Sequence, residues 1–428
     1  MSNWKLYTPE GTSDLLPTQC AQKESIENSI AGVFESYGYQ VVETPVMQYY
    51  DAYDTPTSKM EQEMLYKFFD NEGRIMVLRP DVTTSLARMV ATKLAQGPFP
   101  LRMHYSGKVF RYVDSYSSIQ REFCQSGIEL VGVKSDAADC EVILCAMEAL
   151  LSCGLETFQV EIGQVEFFKA LMEQTGLDDE NIETLRRYID KKDTLALSNC
   201  IKKLVLDESI ASLLLRLPTL FGGIEILDEI DESTLNEKAR TALSNLRTIY
   251  ETLAACGYEK YISIDLSLVK GINCYTGMIF KAFTHGVGFP ICSGGRYDGL
   301  ISEFGADIPA VGMAIGTDRL LSVLLRQNLL KEVSGADIFI LSNDIARSYE
   351  LATALRNEGY VVEQDTSGMN ESEALIYAEN AKIQGIMTVL DDCTVYVHNL
   401  LDGTKETTTI DELICDEECA CEHCHGNE

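Results

Sequence analysis

The chain has 428 residues, of which 46% are hydrophobic, and its formal net charge is −31 at neutral pH. This length predicts two or three domains, each able to bury a core. The acidity argues against a nucleic-acid-binding protein, which needs a basic surface to displace counterions from phosphates. No apolar run reaches the ~18 residues of a membrane span, and the N-terminus lacks the features of a secretory signal. We therefore expect neither membrane insertion nor secretion, and a cytoplasmic location follows by default.

The first predicted elements are a helix and an extended segment. Apolar residues at helical spacing predict a helix over residues 22–37. The segment YQVVETPV (39–46) is extended, and Pro45 restricts it to a sheet edge or an interface because proline cannot donate a ladder hydrogen bond.

A short strand at residues 75–78 leads into a second helix, which runs to about Leu94. Asp81 or Thr83 is placed to cap that helix through a side-chain oxygen. For Asp81, capping and contact with a ligand are equally consistent with the sequence.

Three strand-like runs follow, at residues 101–105, 108–113 and 121–131. With the alternation of a strand, Arg121, Gln125 and Glu129 share one face of the last run, and Gly127 leaves space between them. Such a polar face is unusual against a packed core, and it is consistent with either a solvated sheet face or a ligand-binding face.

A helix is predicted from Ser135, as its N-cap, to about Cys153, and Gly154 closes it. Residues 164–256 are rich in helical patterns and contain no cluster typical of catalysis. We interpret this part as a helical insertion.

Residues 264–320 carry the densest set of signals. They contain a strand-like run around Tyr275, a glycine-rich loop at Gly294–Tyr297, and a strand–turn–helix with Arg319 in the first helical turn. Glycine allows the backbone to pass close to a ligand, and arginine beside the free N–H groups of a helix start suits an anion. Each signal alone also fits a simple turn or a solvated side chain, but their order and spacing are more specific.

After a linker at residues 332–335, alternating strands and helices over 336–414 predict a small α/β domain with a largely parallel sheet. From Gly335 onward the chain has 20 acidic and 4 basic residues, so this domain would repel a phosphate backbone.

Cysteines occur in two patterns. Ten of the fourteen are scattered without paired spacing, which is typical of reduced thiols in a protein core. The acidic tail (415–428) groups the other four, Cys415, Cys419, Cys421 and Cys424. Four thiolates suit zinc, but the spacing lacks two separated CxxC pairs, and a disordered tail is the alternative.

Eight motifs give the chain a resemblance to histidyl-tRNA synthetase and to its paralogue family, the regulatory subunits of ATP phosphoribosyltransferase. They are GTSDLLP (11–17), GYQVVETPV (38–46), LRPDVT (78–83), VFRY (109–112), REFCQSGIELVG (121–132), KGINCYTG (270–277), SGGRYDGL (293–300) and AVGMAIGTDRL (310–320). The resemblance implies an α+β, class II aminoacyl-tRNA synthetase-like fold over residues 1–330, with a six-stranded antiparallel sheet flanked by helices. It also implies a homodimer interface near Pro45 and an anticodon-binding-like C-terminal domain.

Several positions depart from the synthetase pattern. Lys270 stands where the synthetases have an arginine that binds the amino acid's carboxylate and the transferring phosphate, and Cys274 replaces a tyrosine. Lysine keeps the charge but loses the planar fork of arginine. Val113 replaces a glutamate that holds the nucleotide. Because adenylate formation depends on positioning and charge stabilisation, we expect no aminoacylation, and no catalytic residue is assigned.

The resemblance implies that the histidine pocket is retained. Asp81, Thr83 and Gln125 would hold the α-amino group, Glu129, Tyr275 and Tyr297 would surround the imidazole, and Lys270 can pair with the carboxylate. Arg111 and Arg319 match the two arginines that flank phosphates, and Arg121 is assigned to the same anion side.

These features favour a non-catalytic regulatory subunit that associates with a short-form catalytic subunit in the first step of histidine biosynthesis and in its feedback by free histidine. The expected partners include no nucleic acid, no membrane and no cofactor. An active or diverged histidyl-tRNA synthetase and a free-standing histidine-binding protein are the alternatives.

Overall fold

The structure is a computed structural model that describes residues 4–56, 62–112, 120–269, 274–330, 333, 335–390, 394–409 and 413. The chain divides into two compact units, at residues 1–330 and 331–428. Each unit has its own sheet and its own core.

The first unit contains twelve strands and ten helices in its described residues. The strands are β1 (Gln40–Val41), β2 (Met47–Tyr49), β3 (Lys67–Phe69), β4 (Ile75–Leu78), β5 (Leu101–Phe110), β6 (Glu122–Val131), β7 (Gln159–Gln164), β8 (Phe221–Gly222), β9 (Ile262–Asp265), β10 (Met278–Phe283), β11 (Cys292–Arg296) and β12 (Ala310–Gly316). The helices are α1 (Pro17–Ser36), α2 (Thr83–Met89), α3 (Asp136–Ser152), α4 (Val165–Thr175), α5 (Asp179–Asp190), α6 (Thr194–Ile201), α7 (Glu208–Arg216), α8 (Glu225–Asp228), α9 (Glu237–Ala255) and α10 (Thr317–Arg326). A π-helical turn at Val90–Leu94 continues α2.

Nine strands form the main sheet in the order β1-β5-β6-β12-β11-β10-β7-β9-β8. The six strands from β5 to β7 are antiparallel to their neighbours, whereas β1 and β9 join in parallel at the two sides. The predicted α+β fold, with an antiparallel sheet flanked by helices, is confirmed.

The two faces of the main sheet pack against different helices. On β6, Ile128 and Leu130 belong to the large core formed with α1, α3, α4, α9 and α10. The alternate residues Phe123 and Val131 belong to two smaller clusters that include α2. Side chains that alternate along a strand point to opposite faces, so Glu129 lies on the α2 side.

The glycine-rich segment that was expected to be a loop is a strand. Gly294, Gly295 and Arg296 belong to β11 in the middle of the main sheet. A Cβ atom at Gly295 would lie 2.9 Å from the ring of Tyr275, so close packing explains this glycine. The prediction for Tyr275 was also wrong, because it precedes β10 instead of lying in a strand.

Local patterns located several other elements of the first unit correctly. The strand at Ile75–Leu78 has its predicted bounds, and the Ser135 hydroxyl accepts a hydrogen bond from the Ala138 N–H at the start of α3. Helix α1 starts earlier than predicted, at Pro17, because proline suits a first helical turn. The two runs predicted within residues 101–113 form one continuous strand, β5.

The second unit contains a five-stranded sheet in the order β14-β13-β15-β16-β17. Its elements are β13 (Ile338–Leu341), α11 (Ile345–Asn357), β14 (Val362–Gln364), α12 (Glu371–Asn380), β15 (Gly385–Val389), β16 (Thr394–Asn399) and β17 (Lys405–Thr409). Strands β14 and β15 flank β13 in parallel, but the last two pairings are antiparallel. The sheet is therefore mixed, and the prediction of a largely parallel sheet was wrong, because the terminal hairpin joins it.

The described ranges bear on membrane helices and on cysteine pairing. There, no helix combines the length and apolar character needed to cross a membrane. The nine described cysteines are free thiols, and Cys124, Cys140, Cys145 and Cys292 are buried.

Candidate functional site

Glu129 is the central side chain of the candidate site. It lies on β6, and only 1% of its surface is exposed. Thr83 Oγ1 donates a hydrogen bond of 2.7 Å to Glu129 Oε1, and the Tyr297 hydroxyl donates to Glu129 Oε2. Both partners are neutral hydroxyl groups, and no cation of the described ranges contributes to the electrostatics of this carboxyl group.

Segments far apart in the sequence bring these groups together. Glu129 pairs across the sheet with Gly312 of β12, where a Cβ atom would collide with the carboxylate. Tyr297 directly follows β11, and Thr83 begins α2. Asp81 Oδ1 accepts a hydrogen bond of 2.8 Å from a backbone N–H in the first turn of α2. Asp81 therefore makes the predicted capping contact with one carboxylate oxygen.

Burial raises the pKa of Glu129 to about 8, because the charged form loses its hydration. The hydrogen bonds from Tyr297 and Thr83 lower this pKa, and the charge of Asp81 raises it. In the ligand-free protein, most Glu129 side chains therefore hold a proton at neutral pH. A cationic or N–H-donating ligand would favour the carboxylate form.

Gln125 and Tyr275 lie near the same site. Gln125 shares the face of β6 that carries Glu129. Tyr275 packs against the apolar cluster that contains Tyr297. The charges of Glu129 and Asp81 contribute, after burial, to raising the pKa of Tyr275, so these groups are within electrostatic reach of one another.

Arg111 and Arg319 form the positively charged end of the site. Arg111 Nε donates a hydrogen bond of 2.8 Å to the Pro80 carbonyl, and Arg319 Nη1 donates one of 3.0 Å to the Pro290 carbonyl. Each guanidinium lies over a phenylalanine ring, at 5.3 and 5.1 Å from its centroid. Burial lowers the pKa of both arginines, and the charge of Arg111 lowers that of Arg319 further. No carboxylate in the described ranges forms an ion pair with Arg319, so its charge is open to an anion.

Arg121 lies apart from this arrangement. It immediately precedes β6, and its backbone N–H donates a hydrogen bond of 2.8 Å to the Gly11 carbonyl. Its guanidinium lies 4.7 Å from the centroid of the Tyr112 ring and 3.6 Å from Glu10 Oε2. The Arg121 carbonyl accepts a hydrogen bond of 2.8 Å from the Arg111 N–H, while the guanidinium contacts Tyr112 and Glu10. A role for Arg121 on the anion side stays a prediction.

The sequence did not single out three other features near the site. Tyr105 of β5 is buried and lies opposite Gly127. Lys169 Nζ donates a hydrogen bond of 2.9 Å to the Tyr275 carbonyl, which fixes the segment before β10. Strand periodicity placed Tyr105 on a strand. Its pairing with Gly127 and the contact of Lys169 with Tyr275 could not be predicted, because each joins segments that are far apart in the sequence.

The third feature is a buried ion pair on the opposite face of the main sheet. Arg296 Nη2 lies 2.6 Å from Asp139 Oδ1, and Arg296 Nη1 lies 3.2 Å from Asp298 Oδ1. Burial raises the pKa of Asp139 to about 6, and the charge of Arg296 lowers it. Arg296 directly precedes Tyr297, so one strand end supplies a group to each face.

Several predicted residues lie outside the described part of the chain. They are Val113, Lys270, Cys415, Cys419, Cys421 and Cys424. Within the described residues, no group of three or more His, Cys, Asp or Glu side chains is arranged to hold a metal ion. A metal site in the tail stays a prediction.

Comparison with known proteins gives one family model and close relatives. Residues 11–320 match the model of the histidyl-tRNA synthetase family. The chain is 42% identical over 416 residues to an ATP phosphoribosyltransferase regulatory subunit of Acetivibrio thermocellus, covering 97% of this chain and 100% of that protein. It is 41% identical over 364 residues to a protein of the same name from Clostridium acetobutylicum, covering 84% and 89% of the two chains.

A solved structure agrees with both findings. It is described as an ATP phosphoribosyltransferase regulatory subunit/histidyl-tRNA synthetase from Bacillus halodurans, and it is 31% identical to this chain with a TM-score of 0.81. The match covers 90% of this chain and 99% of that one. The similarity therefore extends through both compact units.

Proposed function

Because this chain belongs to the family of ATP phosphoribosyltransferase regulatory subunits and contains a histidyl-tRNA synthetase domain, we propose that it binds histidine and associates with a short catalytic subunit. In this role it is required for the first step of histidine biosynthesis and takes part in its feedback by histidine. The chain itself forms no aminoacyl-adenylate.

The observation that carries the histidine assignment is the arrangement around Glu129. As a carboxylate, Glu129 accepts a hydrogen bond from the imidazole N–H, and Thr83 and Tyr297 hold it in place through both of its oxygens. Asp81 offers a carboxylate to the ammonium group. A charge-assisted hydrogen bond in such a site contributes about 1.5–3 kcal/mol.

The ligand carboxylate is assigned to the positively charged end. Arg111 and Arg319 each donate a hydrogen bond to a backbone carbonyl, and the described residues contain no ion-pair partner for either guanidinium, which supports anion binding there. Lys270, whose position relative to Arg111 is not described, would add a further cation as a point charge.

A homodimer is the second part of the proposal. Beside the main sheet, a small sheet in the order β2-β4-β3 exposes large apolar side chains, namely Met47, Tyr49, Phe69 and Ile75 at 58%, 50%, 72% and 43%. Val41 of the edge strand β1 is 72% exposed. By the strand register, Met47 and Tyr49 share one face of this sheet, and Phe69 and Ile75 share the other. Exposed apolar side chains support a protein–protein interface here, and Pro45 lies between β1 and β2.

The experiment is co-expression of this chain with a short-form catalytic subunit, followed by co-purification and an assay of ATP phosphoribosyltransferase activity. We expect a stable complex whose activity requires this chain and falls when histidine is added. Separate purification of the two chains, with activity in the catalytic subunit alone, would contradict the proposal.

An active histidyl-tRNA synthetase is the alternative that the family model favours. Histidine-dependent pyrophosphate exchange above background would establish it. With 20 acidic and 4 basic residues from Gly335 onward, the second unit should not bind tRNA, even at low salt where counterion release favours binding most. A salt-dependent gel shift with tRNA would show this charge argument to be wrong.

A further inference from the structure

The first turn of α10 is tied to β6 by two neighbouring side chains. Thr317 is buried, and its hydroxyl forms a hydrogen bond of 3.2 Å with that of Ser126. Next to it, Asp318 Oδ2 accepts a hydrogen bond of 2.5 Å from the Cys124 N–H. A buried backbone N–H needs such an acceptor. Because strand β12 ends at Gly316, the Asp318 carboxylate takes the place of a further strand residue beside β6.

The same carboxylate forms an ion pair with α1. Lys23 Nζ lies 3.0 Å from Asp318 Oδ1, and the two side chains are only 14% and 11% exposed. Burial lowers the pKa of Lys23, but the hydrogen bond and the charge of Asp318 raise it, and the net shift is upward. Lys23 is therefore charged at neutral pH and offsets the carboxylate. Because Asp318 joins α1, β6 and α10, it fixes the position of the α10 N-terminus.

Arg319 follows Asp318 in the chain but contacts a different part of the protein, since consecutive side chains of a helix do not face each other. Arg319 Nη1 donates a hydrogen bond to the Pro290 carbonyl, and the guanidinium lies over the Phe289 ring. Burial and the charge of Arg111 lower the pKa of Arg319, and no carboxylate of the described ranges contributes to it. The Asp318 carboxylate therefore holds α10 in place while it points away from Arg319.

We propose that Asp318 and Lys23 are positioning residues for the positively charged end of the candidate site. They fix the first turn of α10 so that the Arg319 guanidinium reaches an anionic group of the ligand, and neither residue contacts the ligand in this role. The inference rests on the proposed function, in which Arg319 binds that group. A side chain gains affinity when it is held in the binding geometry before the ligand arrives. Lys23 has a second effect, because an unpaired Asp318 carboxylate would repel an anion.

The variant Asp318→Asn separates positioning from a simple effect of charge. It keeps an oxygen acceptor for the Cys124 N–H but loses the ion pair. Removing a negative charge near an anion site should strengthen anion binding, whereas loss of positioning weakens it. We expect the affinity for inorganic pyrophosphate, measured by isothermal titration, to fall about three- to tenfold. The matched control is Glu122→Gln, because the Glu122 carboxylate lines the same cleft as Asp318 and pairs with Lys108. The control should bind pyrophosphate with wild-type or higher affinity.

Unchanged or stronger pyrophosphate binding in Asp318→Asn, or an equal loss in Glu122→Gln, would overturn the inference alone. Lys23→Met tests it independently, also where Asp318→Asn does not fold. It should weaken pyrophosphate binding in the wild-type background and have no further effect in Arg319→Met, and Lys23→Arg should restore binding. A loss of the same size in both backgrounds would mean that the charge of Lys23 acts on the anion directly, which overturns the inference. If the wild-type protein binds no pyrophosphate, the proposed anion binding by Arg319 fails together with it.

Discussion

Two buried charged groups lie on opposite faces of the main sheet and differ in what surrounds them. On one face Arg296 is 5% exposed and contacts the carboxylates of Asp139 and Asp298. On the other face Glu129 is 1% exposed, and its contacts are the neutral hydroxyls of Thr83 and Tyr297. Among the described residues, the first group contacts opposite charges and the second contacts none.

This difference separates a structural ion pair from the proposed binding site. Arg296 also donates hydrogen bonds to the Val133 and Ser135 carbonyls, so it fixes the end of β11 against the start of α3. A buried acid with only neutral partners has a strongly raised pKa, and such groups are concentrated at functional sites. Because Tyr297 follows Arg296 in the chain, the ion pair on one face of the sheet also positions a side chain of the proposed binding site on the other face.

Replacing Arg296, the cation of the buried ion pair, should have the largest effect on stability. Arg296→Met leaves Asp139 buried without its partner, so we expect the free energy of unfolding to fall by about 3–5 kcal/mol. Urea denaturation measures this loss. The control is Arg319→Met, which removes a cation that has no carboxylate partner in the described ranges and one hydrogen bond to a carbonyl, so it should change stability by about 1 kcal/mol. Equal losses in the two variants would remove the distinction between the faces.

The pH dependence of stability tests the burial of Glu129. The folded pKa of Glu129, about 8, lies above its ordinary value of 4.5, so the folded state holds this proton more tightly than the unfolded chain. The contribution of protonated Glu129 to the free energy of unfolding is complete below pH 4.5, and it is lost as the pH rises to 8. Within this window stability should fall by up to about 1.4 kcal/mol per pH unit.

The matched variant for this measurement is Glu129→Gln, which keeps the shape of the side chain but cannot ionise. At pH 5 the wild-type protein and the variant should have similar urea midpoints. At pH 8 the midpoint of the variant should be the higher of the two. Parallel pH profiles would mean that Glu129 is ionised in the folded protein throughout.

Ligand binding distinguishes the two faces of β6 itself. Glu129→Ala should weaken histidine binding by roughly tenfold or more, because the acceptor for the imidazole N–H is lost, and the protein should remain folded. The control is Glu122→Ala on the same strand, where the carboxylate forms an ion pair of 2.5 Å with Lys108. Calorimetric titration that gives one affinity for both variants would place the ligand elsewhere.

The smallest predicted effect concerns the arginine end. Arg319→Met should weaken binding of inorganic pyrophosphate about three- to tenfold, as expected for one charge-assisted hydrogen bond. Arg326→Met, in the last turn of the same helix, should leave that affinity unchanged. Isothermal titration of each variant with pyrophosphate, at one ionic strength, gives both values.

Sequence patterns predicted the parts of the site that depend on local structure. The alternation of β6 placed Gln125 and Glu129 on one face, and the start of α2 placed Asp81 and Thr83 at its cap. What could not be predicted is the pairing of distant strands, which sets Gly312 opposite Glu129 and Tyr105 opposite Gly127.

The failure at β11 has the same physical origin. Gly294 and Gly295 have the composition of a turn, and only the neighbouring strands and the Tyr275 ring explain why a small residue is needed inside a sheet. Lys169 is a comparable case, because its acceptor is a backbone carbonyl 106 residues away. Such contacts carry no signal in the local composition.

The helices between β7 and β9 do not have a core of their own. Leu213 of α7 and Leu246 of α9 belong to the same continuous cluster as Ile128 of β6 and Ile162 of β7. Amide protons across these helices and strands should therefore exchange with solvent through shared, cooperative opening events. Because these helices share their core with the main sheet, replacing them as one block with the helices of a relative should disrupt packing. Their sequence can diverge only together with the sheet residues that they cover.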